Sequence, residues 1–168
     1  MLKWISLAAT GSLALVTPAA AAGAVLGPDA AACRAGSNVP AVLVDVRGLK
    51  NRSGKLRVQI YGGNPSEFLA KGKKLKRIDL PVTATRMPVC VALPKAGRYA
   101  VAVRHDADAN GKSSRQDGGG FSRNPKISLV SMKPDYGQVA IAVGNGVKPV
   151  PVVLNYLQGL SIKPIASN

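Results

Sequence analysis

After residue 40, apolar residues recur at every second position, and that period decides what kind of fold the chain can reach. Val42, Val44 and Val46 share one face, and Leu56, Val58 and Ile60 alternate with Lys55, Arg57 and Gln59. Val89, Val91 and Leu93 form a third set, and Tyr99, Val101 and Val103, backed by Ala100 and Ala102, form a fourth. Val139, Ile141 and Val143 follow, again backed by alanines, and Val150, Val152 and Leu154 close the series. Ile78 and Leu80 mark a shorter strand. Successive side chains of a strand point to opposite faces, so this alternation predicts strands that each bury one side. Turn-forming residues separate the runs at Asn51–Gly54, Pro94–Gly97 and Gly144–Gly146. About seven short strands divided in this way predict an all-β, antiparallel β-sandwich.

Local details refine that picture. The face carrying Ala100, Ala102, Ala140 and Ala142 has little bulk, so one sheet is expected to be covered either closely or only lightly. Pro149 and Pro151 both lack an N–H on the same side of the last strand, which suits a sheet edge. One short helical turn is expected at Asn64–Glu67, where Asn64 caps, Pro65 takes the first helical position and Glu67 follows three after the cap. Phe68 and Leu69 would pin this turn to the sandwich, and Gly72 would end it.

The amino terminus has a different grammar. Lys3 precedes a mostly apolar run from Ile5 to Val16, and Pro18 leads into Ala19–Ala22, Gly23 and Ala24. Such a run, shorter than the roughly 20 residues a membrane span needs and followed by an A-x-A pattern, predicts a secretory signal cleaved between Ala20 and Ala24. The chain then divides into a signal peptide over 1–22, an N-terminal extension over 23–39, the sandwich over 40–157 and a tail over 158–168. No later segment is apolar enough to cross a membrane, so the mature protein is expected in the periplasm or secreted.

Export gives the two cysteines a meaning. Cys33 and Cys90 are the only ones, and an even count in an oxidising compartment predicts one disulfide, with buried free thiols as the alternative. A single histidine and two paired cysteines leave little from which to build a zinc site.

The strand Arg98–Arg104 runs into His105, Asp106, Asp108, Asn110 and Gly111, followed by Asp117. With Asp106 as position 1 of a Ca²⁺ loop, Asp108 is position 3, Asn110 is 5 and Gly111 is 6. Lys112 at 7 offers its carbonyl, Ser114 falls at 9, and Asp117 at 12 replaces the usual bidentate glutamate. Side-chain oxygens at that spacing suit Ca²⁺. The same residues also make Asx turns with no ion, and Lys112 and Arg115 bring positive charge close by. A Ca²⁺ site here is expected to be weak, on the order of 10⁻⁴–10⁻³ M. The 16 residues from Asp106 to Phe121, including Gly118–Gly120, are expected to form one long polar loop.

His105 continues the inward face of Tyr99, Val101 and Val103. It is expected to be a packed, hydrogen-bonded residue at the rim, although a base paired with Asp106 or Asp108 is the catalytic alternative. The sequence supplies no nucleophile with an orienting partner, so no catalytic residue is assigned.

Lysine and arginine total 23 against eight acidic residues. They cluster at Lys71, Lys73, Lys74, Lys76 and Arg77, and again at Arg47, Lys50, Arg52, Lys55 and Arg57. Such charge suits an anionic envelope polymer, or simply guards an exposed edge strand. Nucleic acid is an improbable partner, because neither cluster contains the stacking aromatics that single-strand binders use.

Three blocks carry a resemblance: Val42–Leu49 with Gly54–Tyr61; Asn64–Phe68; and Leu93–Asp106, continuing through Asp108–Lys112 into Gly120-Phe-Ser-Arg-Asn124. In these the chain resembles the exported bacterial family called domain of unknown function 2141, over roughly residues 40–156. The resemblance implies an immunoglobulin-like or prealbumin-like sandwich and no known activity. Together these readings predict a non-catalytic binding or structural module with an unknown envelope ligand. Its functional rim would run from His105 through Phe121 to Asn124. The alternatives are a small hydrolase using His105 and an adhesive module for anionic polymer.

Overall fold

A computed structural model describes residues 24–165, so the expected signal peptide over 1–22 lies outside the described residues. Ten strands run in order: β1 (Ala41–Arg47), β2 (Lys55–Tyr61), β3 (Lys76–Pro81), β4 (Arg86–Ala92), β5 (Gly97–Asp106), β6 (Gly118–Phe121), β7 (Ile141–Val143), β8 (Val147–Val153), β9 (Asn155–Gln158) and β10 (Ser161–Pro164). One short helix, α1 (Tyr136–Val139), lies between β6 and β7.

These strands form two sheets. The smaller is ordered β4-β1-β8, and the larger β10-β9-β6-β5-β2-β3, with β7 pairing the early part of β5. The expected all-β sandwich is present. One pairing departs from the antiparallel rule: β8 lies parallel to β1, with Val44 beside Val150 and Val46 beside Val152.

The core follows from the alternation. Val42, Val44 and Val46 of β1, Val89 and Val91 of β4, and Val150 and Val152 of β8 face inward from one sheet. Leu56, Val58 and Ile60 of β2 and Tyr99, Val101 and Val103 of β5 face them from the other. Full burial of such a side chain contributes about 1.5–3 kcal/mol, so this layer dominates the stability.

The alanine-bearing outer face is closely covered. Ala100, Ala102 and Ala140 form a second cluster with Tyr61, Tyr136 and Val139, and Phe68, Leu69 and Phe121 pack against it. Small residues on the sheet let these rings lie close above it. The turn that carries Phe68 is the expected one: a 3-10 turn spans Pro65–Glu67, and Asn64 accepts the Ser66 N–H at 3.1 Å.

Three expectations need correction. Val139 ends α1 instead of starting a strand, because the Asp135 N–H donates to Gln138 Oε1 at 2.9 Å and closes the helical turn. The long polar loop is shorter than expected, because Gly118–Phe121 pairs with β5 as β6. Part of the expected tail over 158–168 is ordered into the sheet, since Ser161–Pro164 pairs with Asn155–Gln158 as a hairpin. Within the extension expected over 23–39, Leu26 bridges to Val89, and Asp29 accepts the Ala92 N–H at 3.0 Å and pairs with Lys76. The extension covers the free edge of β4, an edge that would otherwise invite pairing with another chain.

Cys33 and Cys90 are joined, anchoring this extension to β4. Closing a loop with a sequence separation of 57 constrains the unfolded chain by about 4 kcal/mol. Pro149 and Pro151 lie on β8 at the edge of the smaller sheet, as their missing N–H groups require.

Candidate functional site

β5 is the longest strand, and its last residue sets up the site. Asp106 is 1% exposed, held in the sheet opposite Lys55 of β2. Its Oδ2 accepts the Gly111 N–H at 2.9 Å and an Arg104 guanidinium N–H at 3.0 Å. Its Oδ1 is buried and has no hydrogen-bond partner. Burial alone would raise the Asp106 pKa. The Gly111 N–H and the Arg104 charge outweigh that effect and hold it below the ordinary carboxylate value.

The remaining residues of the loop close over this end. Asp108 accepts from the Asn110 N–H at 3.2 Å and from its amide at 2.6 Å, while Asn110 Oδ1 accepts the Lys112 N–H at 2.7 Å. Gly111 has a φ of +79°, a backbone geometry glycine adopts without strain. Asp117 folds back: Oδ1 accepts the Ala107 N–H and the Ser114 hydroxyl, both at 3.1 Å, and Oδ2 accepts the Ser114 N–H at 3.1 Å. Carboxylate oxygens of Asp106, Asp108 and Asp117 thereby come within 4.8 Å of one another.

The three carboxylates among the expected ligands, Asp106, Asp108 and Asp117, therefore converge. Asn110 and Lys112 take part in the turn hydrogen bonds that shape the loop, Lys112 through its N–H. Among the eight acidic residues, Asp29, Asp45, Glu67, Asp79 and Asp106 form ion pairs, whereas Asp108, Asp117 and Asp135 form none among the described residues. Arg104 was missed by the sequence reading, although its signal was present: two residues before Asp106 on one strand, it must share that residue's face.

His105 faces inward and is fully buried. Both ring nitrogens are bonded, Nδ1 to the Tyr156 hydroxyl at 2.7 Å and Nε2 to the Ser53 carbonyl at 2.8 Å. It does not join Asp106, whose side chain points to the opposite face of the strand.

The expected rim residues beyond the loop are stitched into the fold. Phe121 stacks edge-on to Phe68, with centroids 6.1 Å apart. The buried Ser122 hydroxyl donates to the Val139 carbonyl at 2.6 Å and accepts the Val101 N–H at 3.0 Å. The Asn124 amide bonds twice to β8, at Pro151 and Val153.

The basic stretches are partly neutralised. Arg57 and Arg77 share Asp79, Lys73 meets Glu67, and Arg47 meets Asp45. Lys76, Arg77 and Asp79 lie on β3, an edge strand of the larger sheet, where charge discourages pairing with other chains.

Among the described residues, no helix is long and apolar enough to cross a membrane. A family model described as "Uncharacterized protein conserved in bacteria (DUF2141)" matches residues 44–150. Neither the curated proteins nor the solved structures gave a match.

Proposed function

Since the chain belongs to the DUF2141 family of proteins conserved in bacteria, which brings no activity with it, we propose that it is an exported envelope module that binds rather than transforms, with a weak Ca²⁺ site in the Asp106–Asp117 loop. One observation carries the metal reading. Three carboxylates meet within 4.8 Å, and one of them presents a buried oxygen, Asp106 Oδ1, that has no hydrogen-bond partner among the described residues. An unpartnered buried carboxylate oxygen costs free energy that a bound cation would recover.

Ca²⁺ takes oxygen ligands and tolerates irregular coordination, which suits three aspartates and nearby water. Asp106, Asp108 and Asp117 would hold it. Arg104 opposes the ion by placing a positive charge 3.0 Å from Asp106, so affinity falls in the weak extracellular range of about 10⁻⁴–10⁻³ M.

The A-x-A run and the Cys33–Cys90 bond support export. Binding rather than turnover is supported by His105, whose ring nitrogens are both engaged in the interior. Thermal melting of the mature chain tests the metal reading. Millimolar Ca²⁺ should raise the midpoint, chelator should reverse the rise, and Asp108→Asn with Asp117→Asn should abolish it. Arg104→Met should tighten the response. An unmoved midpoint in the native protein would refute the site.

A further inference from the structure

Beside the acidic loop lies a cleft of about 590 Å³, which shares Asp117 with the carboxylate cluster. Its size falls within the roughly 300–1,000 Å³ typical of small-molecule sites. The walls are Phe121, Ile127, Leu129, Met132, Leu157 and Ile162, while the polar lining comes from Ser113, Ser114, Arg115, Asp117 and Asn155. Leu129 and Met132 are 46% and 58% exposed, so the chain holds large apolar side chains in water around an open slot.

The slot exists because of one missing side chain. Gly119 lies on β6, between Arg104 and Asn155 of the neighbouring strands. A Cβ built there would find only the Val103 carbonyl, at 4.0 Å. Any larger residue at this position would fill the floor of the cleft.

The rim is cationic. Arg115 borders the cleft, and Lys126 and Lys163 border an adjoining hollow that shares Ile127, Asn155 and Ile162 with it. None of the three forms an ion pair among the described residues. Asp117, the one acid on the lining, is already held by Ala107 and Ser114. An apolar slot with free cations at its mouth selects an anionic amphiphile.

We propose that this cleft binds a long-chain fatty acid, its acyl chain against Leu157 and Ile162 over Gly119 and its carboxylate at Arg115. Binding here requires no ion in the acidic loop, although the cleft and that loop share Asp117. A peptide fits less well, because its polar backbone would lie against the apolar side chains of Leu129, Met132, Leu157 and Ile162.

Fluorescence of cis-parinaric acid, added to the mature chain and displaced by palmitate, tests the assignment. Binding should saturate at one per chain, and methyl palmitate should compete about ten-fold less well because it lacks the charge. Arg115→Glu should weaken palmitate by a similar factor and leave the ester unchanged. Gly119→Leu should abolish binding by filling the floor. Met132→Glu, at an exposed position that folding does not depend on, should weaken it at least about ten-fold by placing a charge against the chain. The proposal fails if palmitate does not saturate the protein, or if Met132→Glu and Gly119→Leu bind as the parent does. It fails equally if sedimentation shows the parent self-associating through this face, with Met132→Glu dissociating it and palmitate having no effect.

Discussion

His105 and Tyr156, 51 residues apart, meet with Nδ1 and the phenolic oxygen at 2.7 Å and their rings edge to face. The direction of the bond follows from its neighbours. The Ser53 carbonyl can only accept, so Nε2 carries the ring proton and Nδ1 accepts from the Tyr156 hydroxyl. The Lys50 N–H donates to the same hydroxyl at 3.3 Å. One relay thus joins β5, β9 and the turn between β1 and β2. Tyr156→Phe removes its centre and leaves the buried Nδ1 without a donor, at a cost of about 1–3 kcal/mol. Urea denaturation should show a lower midpoint with an unchanged slope. An unmoved midpoint would mean that the relay adds nothing to stability.

The same phenol predicts an alkaline limit. Burial pushes the Tyr156 pKa up to about 12, against about 10 in an unfolded chain. Because the folded value is the higher one, this contribution is complete below about pH 10 and is lost as pH rises towards 12. About 3 kcal/mol is at stake over that window. Denaturation midpoints of the native chain should fall across it more steeply than those of Tyr156→Phe. Equal slopes for the two proteins would contradict the shift.

The glycine run of β6 should respond in alternation. A Cβ on Gly118 would stand 2.4 Å from the Tyr156 ring, and one on Gly120 would stand 2.7 Å from the Val153 carbonyl oxygen. The ring is fixed by His105 and the carbonyl belongs to the backbone, so neither yields easily. Alanine at either position should cost about 1–3 kcal/mol. Gly119→Ala meets open space and should be neutral or gain up to about 1 kcal/mol by restricting the unfolded chain. Equilibrium unfolding of the three variants decides the order, and a Gly119 variant that proves the weakest would refute this account.

This run also shows where the sequence stops being informative. β1, β2, β4, β5 and β8 were legible because their valines and leucines alternate against polar or small residues. β6 was not, since glycines carry no side chain to alternate and their low strand propensity reads as a loop. Asp106, Asp108 and Asp117 could be grouped from spacing alone. Arg104 as the partner of Asp106 could have been inferred from strand geometry, but the unpartnered Oδ1 could not, because it depends on how the loop folds back. The cleft was least visible of all. Its walls come from segments distant in sequence, and its floor is an atom that Gly119 lacks.

Asn124 provides the most discriminating substitution. Its side-chain amide donates to the Pro151 carbonyl at 3.1 Å and accepts the Val153 N–H at 2.8 Å. That pair of bonds is what a neighbouring strand would make, so one side chain closes part of the free edge of β8 where Pro149 and Pro151 leave off. Asn124 also has a φ of +47°, a left-handed geometry that asparagine tolerates better than most residues. Asn124→Gly keeps the backbone and loses the bonds, whereas Asn124→Ala loses both. The glycine variant should cost about 1 kcal/mol and the alanine variant roughly 1 kcal/mol more. Asn124→Asp keeps the acceptor for Val153 but turns an oxygen towards the Pro151 carbonyl, so it should fall at or below the glycine variant. With the edge uncovered, all three should scatter more light on concentration than the parent. If Asn124→Gly matches the parent in both midpoint and scattering, asparagine is needed here for its backbone geometry alone and the edge is protected by its prolines.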